Sequence, residues 1–139
     1  MKTILHHSVG FVIYTTINGF REYLLLKYPE GHLDLVKGHI DDTDENLLAT
    51  ASRELEEETG ISEFKHIAGF EKTINYTYKR EGALHKKRVD FFLAEVFTKE
   101  IKISHEHTQF MWLNFDDSKN QITFENARSL VLAVEDLLS

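Results

Sequence analysis

Apolar residues in this chain cluster in short runs, separated by polar turns, and this pattern is typical of β-strands. It predicts strands over residues 8–15, 22–27, 66–78, 89–97 and 110–113, and a shorter alternating segment over 100–104. Asn18-Gly19 is a hairpin turn signal between the first two strands. Residues 28–36 and the basic stretch 79–88 are predicted as loops.

Two segments instead follow a helical period. Residues 122–138 place five apolar side chains on one face: Ala127, Leu130, Val131, Val134 and Leu137. In residues 43–59 a narrower stripe is formed by Leu48, Ala51 and Leu55. Asp42, with Glu45 three residues later, predicts the N-terminal cap of this central helix, and Gly60 predicts its end.

Several strands with one central and one terminal helix predict an α+β fold, in which helices cover a mixed sheet. The length of 139 residues predicts a single domain over residues 1–139.

The central helix carries an unusual group of carboxylates. Glu54, Glu57 and Glu58 share one face, near the helix C-terminus, where they repel one another and where the helix dipole disfavours anions. Such an oxygen cluster suits a hard divalent cation. The alternative from the residues alone is a solvated acidic helix face.

The stretch from Lys37 to Ile61 resembles the signature of the Nudix family, G-x5-E-x7-R-E-U-x-E-E-x-G-U, where U is a bulky aliphatic residue. The match is complete from Glu45 onward, but six residues instead of five separate Gly38 from Glu45. We interpret this as one extra loop residue. The alternative is that Asp44 replaces the Glu and the helix holds the extra residue, which would rotate the carboxylates by about 100° from the apolar stripe.

Further stretches resemble one branch of that family, the asymmetrical diadenosine tetraphosphate hydrolases. They are Lys37-Gly38-His39, Gly69-Phe70 with Asn75-Tyr76, Leu93-Ala94-Glu95-Val96, Ser104-His105-Glu106-His107 and Trp112-Leu113. The chain departs from the branch pattern at Val36, where Pro is usual, and at Leu33, where Trp is usual. The resemblance implies an α/β/α sandwich and metal-dependent hydrolysis of diadenosine tetraphosphate to ATP and AMP.

The resemblance also implies roles for individual residues. It assigns Mg²⁺, with Mn²⁺ as an alternative, to the Gly38 carbonyl and to Glu54, Glu57, Glu58 and Glu106, with one carboxylate acting as the general base. Arg53 would orient the cluster, the alternative being an ordinary surface ion pair. A zinc site at His105 and His107 is disfavoured because the chain has no cysteine.

Five residues are expected to contact the substrate: Lys37, His39, Tyr76, Lys87 and Phe124. The alternatives are solvated lysines and, for Phe124, a core aromatic at a helix start.

The charge and hydropathy of the chain limit the kinds of molecule that it is expected to bind. The net charge of −7 argues against non-specific binding to nucleic acid or anionic membranes, and no apolar run reaches membrane-spanning length. We expect a cytoplasmic monomer or homodimer acting on a small nucleoside polyphosphate. The basic stretch 79–88 keeps an RNA 5′ end or a diphosphoinositol polyphosphate open as substrates. A catalytically silent nucleotide sensor is disfavoured because Glu54, Glu57 and Glu58 are all present.

Overall fold

The computed structural model describes residues 1–139 and contains seven strands and three helices. In chain order these are β1 (Lys2–Ile17), β2 (Phe20–Lys27), β3 (Leu33–Asp34), β4 (Val36–His39), α1 (Leu47–Thr59), β5 (Lys65–Arg80), β6 (Ala83–Glu95), β7 (Gln109–Leu113), α2 (Phe115–Gln121) and α3 (Glu125–Leu138). None of the helices combines the length and the apolar character needed to cross a membrane.

All seven strands belong to one mixed sheet organised around β1. The main path runs β3-β2-β1-β6-β5, while β4 pairs with β1 and β7 pairs with β2. β1 is long enough to run parallel to β6 along one side and to pair antiparallel with β4 and then β2 along the other. The pairing with β4 places Gly38 opposite Val9.

Alternating residues of the central strands form one core on each face of the sheet. On one face Val12 and Leu25 cluster with Val131 of α3, and on the other Phe11 and Leu24 cluster with Leu55 of α1. The α+β prediction, with helices covering a mixed sheet, is therefore confirmed.

The basic stretch 79–88 is a hairpin, so its prediction as a loop is wrong. β5 and β6 pair through to Arg80 and Ala83, and the turn is made by Glu81 and Gly82, both with positive φ. The exposed ends of β5 and β6 alternate polar and apolar residues too weakly to show a strand pattern. They are extended because β6 pairs with β1 and β5 pairs with β6. The same pairing starts β1 at Lys2, six residues earlier than predicted.

Other boundaries also differ. Two short strands, β3 and β4, lie in or directly after the predicted loop 28–36, residues 100–104 form no strand, and α2 was not predicted. Leu137 is 47% exposed and so lies off the buried face of α3.

The predicted cap of the central helix is wrong. α1 begins at Leu47, and its N-cap is Asn46, whose side chain accepts a hydrogen bond from the Ala49 N–H. Asp42 lies outside the helix, in the loop that precedes it. Asn is as good an N-cap as Asp, and Asn46 is closer to the apolar stripe that packs on the sheet. Gly60 ends the helix as predicted, with a left-handed φ of 78°.

Candidate active site

The last two turns of α1 hold the predicted carboxylates at the edge of the sheet. Leu55 is fully buried against the sheet, and Glu54 and Glu58 on the adjoining side are 9% and 4% exposed. Glu57 lies further out, with over half of its side chain exposed. The helix therefore presents two largely buried carboxylates and one solvated one to the same cavity.

Gly38 allows this helix to approach β4. A Cβ atom at residue 38 would overlap the carboxyl group of Glu54. The glycine is thus required by its close contact with the Glu54 side chain.

Arg53 links the helix to the loop before it. Its Nε and Nη2 donate to both oxygens of Asp44, at 3.0 and 2.9 Å, and its Nη1 donates to Glu54 and Glu57 at 3.0 and 3.2 Å. Nη2 also donates to the backbone carbonyl of His39 at 2.9 Å. This geometry is what the predicted orienting role requires. The hydrogen bonds from Arg53 hold the pKa of Asp44 well below its usual range.

The Arg53 contacts also locate the extra residue of the signature. Asp44 is the partner of Arg53, whereas Glu45 is exposed and its side chain forms no hydrogen bond or salt bridge. Asp44 therefore takes the place of the signature Glu, as in the alternative interpretation. The helix, however, does not begin until Leu47. The additional residue lies between Asp44 and the helix, where it does not rotate the carboxylates.

Two lysines from separate strands face the carboxylates. Lys37 of β4 donates to the buried Asp34 at 2.6 Å. Lys87 of β6 is half-buried, and burial together with Lys37 lowers its pKa. Burial, Lys87 and His6 likewise lower the pKa of His39. We call Lys37, Lys87 and His39 the basic wall of the cavity. The lowered pKa values of Lys87 and His39 indicate that the positive charges lie close enough to repel one another.

The segment 104–106 closes a third side of the cavity. Ser104, His105 and Glu106 line it, and the next residue, His107, is 5% exposed. His107 packs edge-on against the ring of Tyr28, with 4.5 Å between centroids, and its Nδ1 lies 3.2 Å from the Ser104 hydroxyl. His107 therefore anchors the segment, while Glu106 reaches the cavity.

Eight of the predicted site residues line one cavity of about 570 Å³: Lys37, Gly38, His39, Glu54, Glu57, Glu58, Lys87 and Glu106. Arg53 lies behind the carboxylates, and Tyr76 lies beside Lys87, its cross-strand partner on β5. Phe124 is outside the cavity, at the N-cap of α3 and 51% exposed, with its ring 5.3 Å from that of His32. The prediction of a core position as the alternative for Phe124 is wrong.

We call Glu54, Glu57, Glu58 and Glu106 the acidic wall of the cavity. Its negative charge is poorly compensated in the absence of a cation. Burial, Glu54 and Glu106 raise the pKa of Glu58 to about 9, and burial also raises the pKa of Glu54. Glu58 Oε2 is buried without a hydrogen-bond partner, and so is the hydroxyl of Ser8, which lines the same cavity. Buried polar atoms without partners are rare, so these oxygens are candidate ligands.

The carboxylates fit a hard divalent cation better than a softer one. No three of the acidic or imidazole groups converge on one point closely enough to complete a metal site alone. Mg²⁺ retains several waters and is usually held by one or two carboxylates plus substrate phosphates, so it does not need such a closed cage. A structural zinc site would need one.

Sequence reasoning missed three residues that shape the cavity, Ser8, Tyr28 and Asp34, and gave Asp44 only as an alternative to Glu45. Tyr28 donates its hydroxyl to the Leu35 carbonyl, and burial raises its pKa well above the usual range. Asp34 and Lys37 are three residues apart, a spacing at which ion pairs form on a helix. Because this segment was predicted as a loop, the spacing did not indicate that the two side chains would meet.

Comparison with known proteins agrees with the geometry. The model of the NUDIX domain matches residues 6–133. The chain is 37% identical over 129 residues to the asymmetrical bis(5′-nucleosyl)-tetraphosphatase of Rattus norvegicus, covering 88% of this chain and 82% of the relative. It is 32% identical over 114 residues to the protein of the same name from Caenorhabditis elegans, covering 80% of each. The crystal structure of a binary complex of C. elegans Ap4A hydrolase superposes with a TM-score of 0.84 at 28% identity, covering 96% of this chain and 97% of the other. The chain belongs to the NUDIX family.

Proposed function

We propose that this protein hydrolyses dinucleoside polyphosphates in the presence of Mg²⁺, and that it cleaves diadenosine tetraphosphate asymmetrically into ATP and AMP. The observation that carries the proposal is that one cavity is bounded by the carboxylates of α1 and by Lys37 and Lys87. A tetraphosphate needs cations along its length, and a nucleophilic water needs a base beside it. The names of the relatives described above support the choice of substrate.

The acidic wall would hold the metal. Glu54, Glu57, Glu58 and Glu106 are the carboxylates available, together with the Gly38 carbonyl on the strand against which Glu54 packs. When bound, Mg²⁺ would neutralise phosphate charge and make the attacking water more acidic.

The chain itself would position and deprotonate the water. A carboxylate of the acidic wall takes a proton from the water, whose oxygen forms a bond to one phosphorus while the bond from that phosphorus to the bridging oxygen breaks. The products are a nucleoside monophosphate and a nucleoside triphosphate, so atoms and charge balance with one water consumed. Glu58 is the most buried of the three helix carboxylates, and its Oε2 has no hydrogen-bond partner within the protein, so this oxygen is available to the metal or to the water.

The basic wall would bind the polyphosphate. Lys37 is held in place by Asp34, so little side-chain entropy is lost when it meets a phosphate. Lys87 and His39 line the same cavity and add further donors. These groups bind phosphate without reading the nucleoside.

A nucleoside would extend from the cavity toward a row of rings. Tyr28 stacks on His32 at 4.7 Å between centroids, and His32 lies 5.3 Å from Phe124. Tyr28 lines the cavity and Phe124 is half-exposed, so the row leads from the polyphosphate region to solvent. Planar bases stack on such side chains.

Separation of the products tests the proposal. The protein is incubated with diadenosine tetraphosphate, with Mg²⁺ or with a chelator, and the nucleotides are resolved by ion-exchange chromatography. Equal amounts of ATP and AMP, formed only with Mg²⁺, are expected. Two ADP would reject the asymmetrical cut, and no product would reject the substrate. If 5′-triphosphorylated RNA or a diphosphoinositol polyphosphate were hydrolysed with a higher kcat/KM than diadenosine tetraphosphate, that compound would replace it as the proposed substrate.

A further inference from the structure

A second basic surface lies on the other side of the sheet from the catalytic lysines. It is formed where β1, β6 and β5 run side by side beyond the region covered by α1. Two cross-strand rows define it: Leu5, Lys86 and Thr77 in one, and His7, Arg88 and Asn75 in the next. We call these two rows the outer wing face.

Strand alternation separates this face from the catalytic cavity. Neighbouring residues of a strand point to opposite sides of the sheet. The row between the two consists of His6, Lys87 and Tyr76. Lys87 faces the catalytic cavity, so Lys86 and Arg88 point away from it. The side chains of Lys86 and Arg88 therefore lie on the opposite side of these strands from that of Lys87, although Lys87 itself borders a cavity on each side.

A buried carboxylate organises the outer wing face. Asp90, in the following row, is 1% exposed and accepts hydrogen bonds from His7 Nε2 at 2.5 Å, from the Thr73 hydroxyl at 2.5 Å and from Arg88 at 3.2 Å. Burial tends to raise the pKa of Asp90, but the hydrogen bonds from Thr73, His7 and Arg88 outweigh it and lower that pKa. Asp90 is thus saturated by donors and fixes two of them in place.

Several donors on this face have no partner within the protein. Arg88 Nη1 and His7 Nδ1 are not used by Asp90. The side chains of Lys86, Asn75 and Thr77 form no hydrogen bond or salt bridge, and all five residues line a second cavity, of about 690 Å³. These five residues are therefore free to donate to an anion in this groove, although the net charge of the chain is −7.

We propose that the outer wing face is a second anion site, in which Arg88, His7, Lys86, Asn75 and Thr77 bind the phosphate groups of a small molecule on the side of the sheet opposite the Lys87 side chain. The donor set is suited to phosphate because Arg88 keeps a free edge, and the amide and hydroxyl can bind the remaining oxygens. Leu5, which is 76% exposed in the same groove, offers apolar contact to the organic part of such a molecule. The site would exist whether or not the catalytic cavity turns over the proposed substrate.

Tripolyphosphate binding to the metal-free protein, followed by NMR, tests this site. The Nδ2 amide of Asn75 and the Nε–H of Arg88 report on the outer wing face, while the ring protons of His39 report on the catalytic cavity. We expect saturable shifts of the Asn75 and Arg88 signals that sodium chloride at equal ionic strength does not reproduce. Shifts of the His39 signals alone would overturn the proposal.

A double variant assigns the shifts to this groove. Lys86→Gln with Thr77→Val removes two donors but leaves the Asp90 network and both reporters intact. It should weaken tripolyphosphate binding at the Asn75 reporter by about tenfold, because two solvent-exposed donors to the anion, one of them charged, are removed. The matched control is Lys79→Gln, which removes the same charge two residues along β5 from Thr77, outside the groove. Equal weakening in the control would mean that only net charge matters and would overturn the site.

Discussion

The helix carboxylates of the acidic wall come from the last two turns of α1, whereas the basic wall comes from strands that are far apart in the sequence. Glu54, Glu57 and Glu58 are placed by helical periodicity alone. Lys37 and Lys87 reach the same cavity because β4 and β6 both pair with β1, on its two sides. The helix carboxylates are therefore brought together by their spacing within one helix, and the lysines by the pairing of distant strands.

The two walls also differ in how their charges are compensated. Lys37 is paired with Asp34 at 2.6 Å, and Lys87 is only half-buried. Glu58 is buried with an unpartnered oxygen and a strongly raised pKa. The charge of Lys37 is therefore compensated without a ligand, while the acidic wall requires a cation to become fully charged. Gly38 and Arg53 are where the two walls meet, and they give the strongest tests of this contrast.

Gly38→Ala should have the largest effect, because the new methyl group would push the Glu54 carboxyl away from β4. We expect kcat/KM for diadenosine tetraphosphate to fall by about 10²-fold, as for a misplacement of about 1 Å at a catalytic centre. Circular dichroism is the control for folding. A folded variant with wild-type kcat/KM would show that the close contact has no catalytic importance.

Arg53→Lys tests the link between the helix and the loop. A lysine cannot bond both oxygens of Asp44 and still reach Glu54, Glu57 and the His39 carbonyl. Loss of such an orienting partner should lower kcat by roughly 10- to 100-fold. Arg128→Lys, at the distant α2–α3 corner, is the matched control and should not change kcat. An increase in KM with unchanged kcat would argue against an orienting role.

The pH dependence of stability tests the acidic wall without any substrate. Because the pKa of Glu58 is raised to about 9 in the folded protein, the unfolded chain loses this proton at lower pH than the folded one does. The free energy of unfolding of the metal-free protein should then fall as pH rises from about 5 to 9. Glu58→Gln should remove this slope and be more stable than wild type at pH 8 by about 2 kcal/mol.

The measurement is urea unfolding with a chelator at several pH values. Added Mg²⁺ should restore wild-type stability at pH 8 and have little effect on Glu58→Gln. Parallel stability curves for the two proteins would contradict the assignment of Glu58 as an uncompensated buried carboxyl.

Lys37→Gln tests the basic wall and should have the smallest effect. Removing one charged contact to the polyphosphate should raise KM by about tenfold with little change in kcat. Lys99→Gln, whose wild-type lysine pairs with Glu22 away from the cavity, is the control and should leave KM unchanged. A fall in kcat alone would place Lys37 in the chemical step and not in binding.

The sequence could predict the acidic wall because its spacing is local. The fold class followed from the order of apolar segments, and Glu106 and the basic residues were found through resemblance, not spacing. The hairpin 79–88 was missed because its strands depend on pairing with the start of β1, a contact between residues about eighty positions apart. Asp34 was missed, and Asp44 was given only as an alternative, because their roles depend on how the fold places Lys37 and Arg53 beside them.

The most direct test compares Glu58→Gln with Glu56→Gln in the hydrolysis of diadenosine tetraphosphate at saturating Mg²⁺. Glu56 is exposed on the same helix, so the control removes the same charge outside the cavity. Loss of a carboxylate that acts on water or metal should lower kcat by about 10²–10⁴-fold, and the control should keep wild-type kcat. Equal kcat values for the two variants would contradict the proposal that the buried carboxylates of α1 perform the chemistry.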